Sequence, residues 1–336
     1  MKSGIFILFT LMLIFSLPYL YGGCVVVFSS GDTSRDKNQI VDDSVDDSSV
    51  GFIGVASQAV VNAANAENLS GGALAGGLTS GADISPQLDQ NSSDSHINAF
   101  RPLRFPLVLE ASLRKIESAP PSNAFSPNSI VTKRNNFSGG CGGIFSSMLN
   151  FNKASKQFQG HLSFTDYCDQ GIIISGQTDV NGTFDAPSGD LTTANFSFDD
   201  LTDKSITLDG DISISLSDPP IIATFSAYAH DKSSGLTYWL KDYSMNIDKF
   251  AGYVAIEIFG RFYHPDHGFV KITTTEPLIV HDEDDWPTSG RIETRGDKNT
   301  NARLTTLDYL YFGVEADTDG NGIFDWDSGT LNWHDL

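Results

Sequence analysis

Basic residues are scarce in this chain of 336 residues, in which 21 Lys and Arg stand against 42 Asp and Glu, for a net charge of -21. Nucleic-acid binding depends on basic surface that releases counterions from phosphates. The charge therefore argues against nucleic acid as a partner. It is typical of a solvated acidic surface, or of one that holds cations.

Catalytic signatures are missing as well. The sequence contains no Gly-x-Ser-x-Gly elbow, no His-Glu-x-x-His motif, no Gly-Lys-Ser phosphate loop and no dinucleotide fingerprint. This absence favours a non-enzymatic structural or binding role. The alternative is a glycan-acting hydrolase, because a catalytic carboxylate pair is defined by its separation in space and leaves no local pattern.

The N-terminus has the pattern of an export signal, with Lys2, an apolar run and then Gly22, Gly23 and Cys24. Small residues before a cysteine resemble the bacterial lipobox, although Tyr21 departs from it. The resemblance implies a signal peptide over 1–23, lipidation of Cys24, and a lipoprotein of the outer membrane or periplasm that contacts the membrane through its lipid. An uncleaved anchor, long enough to span a bilayer, and plain secretion are the alternatives.

Cysteine is rare, and its three positions constrain one another. If Cys24 carries lipid, Cys141 and Cys168 remain as a pair in an oxidising compartment. The segment "FNKASKQF" reads as a hairpin turn in which Phe151 faces Phe158. Continuing that register puts Cys141 opposite Cys168, which predicts a cross-strand disulfide.

Composition divides the chain into four parts, of which the signal peptide over 1–23 is the first. Residues 24–100, rich in Ser, Asp, Gly and Ala, predict an acidic flexible tether with a short helix near 50–69 that a Ser-Gly-Gly stops. Residues 101–137 predict a linker that contains a helix at 106–118. From 138 to 336, short strand-like runs predict about twelve antiparallel strands. The expected fold is an all-β, hairpin-rich sandwich, with a barrel as the alternative.

An octapeptide recurs four times, beginning at Phe151, Phe184, His230 and Phe324. Its Asp or Asn can accept hydrogen bonds from turn amides, and its Ser supports the turn. The next residue, Gly in three copies and Lys in the first, takes the position at which Gly supplies a left-handed residue. Each copy therefore predicts a hairpin turn. In the last copy, this interpretation makes Phe324 face Leu331.

The C-terminal copy overlaps a sequence with calcium-loop spacing. A calcium loop takes ligands from side chains at positions 1, 3, 5, 9 and 12 and from the backbone carbonyl at position 7. The side-chain positions are occupied, in that order, by Asp317, Asp319, Asn321, Asp325 and Ser328, and position 7 is Ile323. The spacing resembles the Asp-rich loops of bacterial extracellular proteins, thrombospondin type 3 repeats among them, and implies bound Ca²⁺. Ser328 departs from the bidentate carboxylate usual at position 12. The alternative is an acidic turn without an ion.

Histidine and tryptophan give weaker signals. His264 and His267 flank Pro265 and Asp266 in a pattern that favours a tight turn over a metal site. The four tryptophans can stack on sugars, but packing in the core or at hairpin tips is favoured for each; they are Trp239, Trp286, Trp326 and Trp333.

As a whole, the chain resembles the functionally uncharacterised exported β-rich proteins and lipoproteins of Gram-negative bacteria. That resemblance rests on the export signal, the tether and the hairpins, and it implies no activity. We expect a cell-envelope protein that binds a glycan, in the sharper form with calcium, or another envelope protein.

Overall fold

The structure is a computed structural model that describes residues 52–76, 101–117, 130–169, 172–185, 190–203, 206–216, 220–281, 284 and 286–333. These residues belong to one compact unit, Ser49–Leu336. The predicted signal peptide, Cys24 and the acidic run after it lie outside the described residues. None of the helices that the structure describes combines the length and the apolar character needed to cross a bilayer.

Within the described residues, two α-helices precede fourteen strands. The helices are α1 (Ala66–Ala75) and α2 (Arg101–Glu117). The strands are β1 (Ile130–Ser138), β2 (Gly142–Asn152), β3 (Gln157–Asp169), β4 (Ile172–Phe184), β5 (Leu191–Thr202), β6 (Ile206–Ser215), β7 (Ile221–Asp231), β8 (Thr237–Phe250), β9 (Tyr253–His264), β10 (Gly268–His281), β11 (Ser289–Arg295), β12 (Asn301–Thr306), β13 (Tyr311–Asp317) and β14 (Trp326–Asn332). A short 3-10 turn, Asp297–Asn299, joins β11 to β12.

All fourteen strands form one antiparallel sheet in which each strand pairs with the next along the chain. The predicted all-β, antiparallel, hairpin-rich class is confirmed. The sheet is single and open among the described strands, with β1 and β14 at its two edges. The described strands therefore form one sheet and not the two separate sheets of the predicted sandwich. Each connection puts the new strand beside the previous one, so every strand joins the same sheet.

Two β-bulges that each pair an Asp with a Gly on the neighbouring strand curve the sheet. Asp200 and Asp242 have positive φ values of 59° and 50°, and each lies at a register shift between neighbouring strands. Glycines face them: a Cβ on Gly176 would lie 2.9 Å from the Asp200 carbonyl oxygen, and one on Gly260 would lie 2.4 Å from that of Asp242. Bulges bend a strand and increase its local twist. The Asp and Gly pairs therefore allow the long sheet to curl.

The curled sheet has one buried face, and both helices pack against it. Helix α1 contacts β9 to β13, and α2 contacts β4 to β6. The Tyr243 hydroxyl donates to the Ala73 carbonyl of α1 at 2.8 Å. Lys115 of α2 donates to the Tyr167 hydroxyl at 2.6 Å and to Asp169 at 2.9 Å. The helices and the inward-facing strand residues share one hydrophobic core, which leaves the other face of the sheet as the outer surface.

The predicted helix near 50–69 is wrong in position. Residues 52–61 form an extended segment, called the strap, whose backbone bonds to the start of β10: Ala59 N–H donates to the Phe269 carbonyl at 2.8 Å, and Phe269 N–H donates to Ser57 at 3.0 Å. The helix begins at Ala66 and contains the Ser-Gly-Gly that was expected to stop it. Ser70 bonds Thr294 of β11 at 3.1 Å, so this stretch packs closely on the sheet.

Two further boundaries differ from expectation. The predicted tether over 24–100 is too long, because residues 52–76 pack on the folded unit. The predicted linker 101–137 contains β1, an edge strand whose residues alternate between exposed and half-buried. Such a strand lacks the strongly apolar face by which strands are recognised. Helix α2 covers the predicted 106–118 region as far as Glu117, the last residue described there, and begins earlier, at Arg101.

Candidate functional site

The β2–β3 hairpin has the predicted register from the turn as far as Ile144, which pairs with Thr165, and Phe151 faces Phe158. A bulge then shifts the ladder by one residue, so that Gly142 faces Cys168. Cys141 and Cys168 are joined as a disulfide with a Cα–Cα distance of 5.1 Å. The expected pairing is therefore present, one position away from direct opposition.

This hairpin and its neighbours present uncharged polar side chains on the outer face. Residues of β1 to β5 and of the β2–β3 turn line a groove of about 480 Å³, within the size range of ligand sites. We call it the carboxamide groove; its lining residues are Ile130, Asn150, Asn152, Ser155, Gln157, Phe158, Gln159, Asn181, Gly182, Thr183, Thr193 and Asn195.

Hydrogen bonds link several side chains of the groove. Asn195 donates from Nδ2 to Oδ1 of Asn181 at 3.1 Å, and the hydroxyls of Thr183 and Thr193 lie 2.7 Å apart. Asn181 and Asn195 are nevertheless exposed. A carboxamide has two N–H donors and an acceptor oxygen, so these side chains retain bonding capacity toward solvent. The groove can therefore both donate and accept, as a hydroxyl-rich ligand requires.

The groove lining, as the structure describes it, contains no ionisable side chain. Acid–base chemistry of the glycosidase type would need carboxylates from elsewhere. This groove was not predicted from the sequence, although the register contained a signal for it. The register that sets Phe151 against Phe158 also sets Asn150 against Gln159.

The predicted calcium loop connects β13 to β14, and Asp317 at its start is fully buried. One carboxylate oxygen of Asp317 accepts the N–H groups of Gly320 at 2.9 Å and Asn321 at 3.1 Å. The other accepts Gly322 N–H at 2.8 Å and the amide of Asn301 at 3.2 Å. A carboxylate has about four lone-pair positions, and four donors occupy them here.

The direction of the pKa shift of Asp317 agrees with these hydrogen bonds. Burial alone would raise the pKa of Asp317, but the hydrogen bonds from Gly322, Asn301, Gly320 and Asn321 outweigh burial and hold the pKa below its usual value. Asp317 is thus an ionised acceptor that organises the loop backbone.

The other predicted ligands also bond within the loop. Asp319 accepts from Asn321, and Asp325 accepts the N–H and hydroxyl of Thr318 at 2.9 Å and 2.8 Å. These two bonds lower the pKa of Asp325. The N–H of Ile323 donates to Asn321 at 2.8 Å.

Ser328 lies in β14, where its hydroxyl accepts from Val314 N–H at 3.0 Å and donates to the Gly329 carbonyl. Within the residues that the structure describes, the oxygens of Asp317, Asp319 and Asp325 do not meet as a group within 4.8 Å. As arranged, the loop fits a hydrogen-bonded turn better than a calcium cage, and calcium binding stays a prediction.

One detail of the last hairpin was predicted wrongly. Leu331 faces Phe312 of β13 rather than Phe324. Phe324 precedes β14, and its ring lies under the guanidinium of Arg303, 4.1 Å from ring centroid to Cζ. The longer loop 318–325 makes the connection here, whereas the octapeptides at Phe151 and His230 do form turns between consecutive strands.

In the described part of the chain, one acidic cluster has oxygens within 4.8 Å of one another: Asp199, Asp200 and Asp209. Asp200 is a bulge residue, and its N–H donates to Asp209 Oδ1 at 2.6 Å. Asp209 thus closes a bulge of the curled sheet. The cluster has this structural role, and Asp199 and Asp200 are exposed.

The His264 segment forms the tight turn between β9 and β10, as favoured from the sequence. The His264 ring is buried and stacks on His267 at 4.4 Å, and its Nδ1 accepts Asp266 N–H at 3.1 Å. Burial, with a smaller effect from His267, lowers the pKa of His264 to about 4. The ring is therefore neutral at neutral pH.

The tryptophans pack as expected rather than stand on the surface. Trp239, Trp286 and Trp333 are buried, and Trp326 is half-buried against the core. This packing removes them as exposed platforms for sugar stacking. Comparison of the chain with protein-family models, with curated proteins and with solved structures finds no match.

Proposed function

We propose that the protein is a non-enzymatic cell-envelope protein that binds a neutral glycan in the carboxamide groove. The observation that supports the proposal most directly is the lining, which offers amides and hydroxyls and no charge in the part described. Sugar hydroxyls donate and accept hydrogen bonds, as carboxamides do. Ile130, 68% exposed at the edge of the groove, can cover the apolar C–H face of a sugar ring.

The envelope part of the proposal rests on the N-terminal sequence pattern. Export, acylation of Cys24 and attachment to the membrane remain predictions about residues outside the described ranges. Calcium is not required by the groove, which lies on β1 to β5, whereas the predicted calcium loop lies between β13 and β14. The hydrolase alternative gains no support from a groove without carboxylates.

The test is binding of the detergent-solubilised full-length protein to an array of neutral and anionic glycans. We expect neutral glycans to bind, and Gln159→Ala with Asn181→Ala to lower that affinity by at least about tenfold, or ~1.4 kcal/mol. Both residues are exposed, so the double variant should fold normally.

Thr330→Ala, at an exposed position on β14, is the matched control and should bind as the wild type does. Preferential binding of anionic glycans, or equal binding by the groove variant, would refute the proposal. Release of reducing sugar from a bound glycan would favour the hydrolase instead.

A further inference from the structure

The carboxamide groove belongs to a longer row of uncharged residues. Continuing the strand register beyond the groove gives one residue on each of eight neighbouring strands, β1 to β8. They are Thr132, Asn150, Gln159, Asn181, Asn195, Ser213, Thr224 and Ser244.

A second row runs beside the first across the same strands. It consists of Ile130, Asn152, Gln157, Thr183, Thr193, Ser215, Ile222 and Asn246. Every residue of both rows is exposed or half-buried, and none carries a charge. We call the two rows together the uncharged stripe.

The lack of charge is local to the stripe. The chain is 19% charged with a net charge of -21, and the next row on the same face contains Arg134, His161, Asp179 and Asp211. His161 and Asp179 are hydrogen-bonded to each other there. A row that contains charged side chains thus borders the uncharged stripe. Because both lie on the same face of the sheet, the need to keep that face soluble does not explain why the stripe lacks charge.

Side chains of the stripe are held in place by one another. Thr132 donates to Asn150 at 2.6 Å, and Ser213 donates to Asn195 at 2.8 Å. Such links orient the amides before a ligand arrives, which reduces the entropy lost on binding. Ile222, 40% exposed in the second row, repeats at β7 the apolar contact that Ile130 offers at β1.

The dimensions suit a chain and not a single sugar. Neighbouring strands are ~4.8 Å apart, so eight strands span about 34 Å, and the two rows are about 7 Å apart. Resting on the proposed glycan-binding function, we infer that the stripe binds an extended neutral polysaccharide that lies across the strands from β1 to β8. The groove holds one end of this ligand, and Thr224 and Ile222 lie under its other part.

The test measures affinity against ligand length. Cello-, malto-, manno- and chito-oligosaccharides, from disaccharide to polymer, are titrated into the full-length protein by calorimetry, with alginate as the anionic probe. We expect the affinity for one series to rise beyond the length that fills the groove. Thr224→Asp should lower the affinity for the polymer by about tenfold, because the new carboxylate would be desolvated beneath it, and should leave disaccharide binding unchanged.

Thr330→Asp adds the same charge on β14, outside the stripe, and should bind both ligands as the wild type does. If affinity stops rising at or before the length that fills the groove, or if Thr224→Asp binds polymer normally, the extended stripe is overturned and the groove stands. If no neutral ligand of any length binds, or alginate binds best, both proposals fail. Self-association of the wild type that Thr224→Asp abolishes would assign the stripe to a second copy of the chain and overturn the inference.

Discussion

The outer face of the sheet has two halves, and the uncharged stripe on one half contrasts with charged pairs on the other. On β10 to β13, opposite charges face each other across strands: Arg291 contacts Glu276 at 2.7 Å, and Arg303 contacts Glu293 at 3.0 Å and Glu315 at 3.8 Å. On β1 to β8, the uncharged stripe occupies exposed and half-buried positions of the same face. Cross-strand ion pairs are an ordinary solution for a solvated sheet. The same sheet therefore accepts either charged pairs or uncharged polar residues on its outer face. Folding alone does not explain why the stripe lacks charge.

The two halves also differ in how apolar side chains are covered. Aromatic residues on the outer face of β8 to β10 pack under Phe52 of the strap, whose ring centroid lies 5.9 Å from that of Trp239 and 5.8 Å from that of Tyr263. Phe269 completes this cluster. The chain thus buries its outer aromatic residues with its own N-terminal segment, whereas the polar residues of the stripe remain open to solvent.

The largest expected effect comes from removing that cover. Phe52→Ala should destabilise the protein by about 3 kcal/mol, since truncating a buried phenylalanine removes its packing and leaves a cavity. Exposure of Trp239 should shift its fluorescence to longer wavelength. Urea unfolding followed by tryptophan emission measures both changes.

Ile53→Ala is the control. Because Ile53 is 90% exposed beside Phe52, this variant should unfold like the wild type. Limited proteolysis should cleave the Phe52→Ala variant within 52–61 faster than the wild type. Unchanged stability and cleavage would show that the strap's backbone bonds alone hold it, and the comparison of a covered and an open half would lose its basis.

A smaller effect follows from His264 in the turn beneath the strap. Its folded-state pKa of about 4 lies below the ordinary value of 6.5, so the unfolded chain takes up a proton that the native state refuses. Stability should therefore fall as the pH drops from 6.5 toward 4. Between pH 7 and pH 5 this amounts to about 1–2 kcal/mol.

His264→Asn removes the titrating group, and the pH dependence of its urea unfolding should be weaker than that of the wild type by this amount. His267→Gln, which alters the stacked neighbour and not the buried ring, should keep most of the dependence. An identical pH profile for wild type and His264→Asn would contradict a neutral, buried His264.

Local pairing was predictable from the sequence, and long-range packing was not. The turn at "FNKASKQF" set a register that holds over most of β2 and β3 and brought Cys141 to Cys168. Turn chemistry acts over a few residues, so a short pattern contains it. The strap was misread as a helix because its conformation depends on bonds to Phe269, more than two hundred residues away.

The candidate site was missed for a related reason. The groove consists of unremarkable Asn, Gln and Thr residues from five strands, none of which forms a local motif. The calcium pattern, by contrast, is a local motif, and the structure shows how its spacing also serves a turn around Asp317. Spacing that brings oxygens toward an ion equally brings them toward backbone N–H groups.

Calcium should have an effect no larger than that of His264. The loop is already closed by the four donors to Asp317, so an ion would add to an ordered turn and would not create it. With a Kd of ~1 mM, typical of extracellular modules, ~10 mM calcium would stabilise the protein by about 1.4 kcal/mol. We therefore expect the melting temperature to be a few degrees higher in calcium than in chelator.

Asp317→Asn is a poor probe of this site, because it weakens the acceptor on which the turn depends whether or not an ion binds. Asp319→Asn with Asp325→Asn alters two exposed side chains and should abolish the calcium effect. Asp327→Asn, at an exposed acidic residue outside the proposed ligand set, should retain it. If the wild type melts identically in calcium and in chelator, the loop has no calcium site, and Asp317 acts only as the hydrogen-bond acceptor that closes the turn.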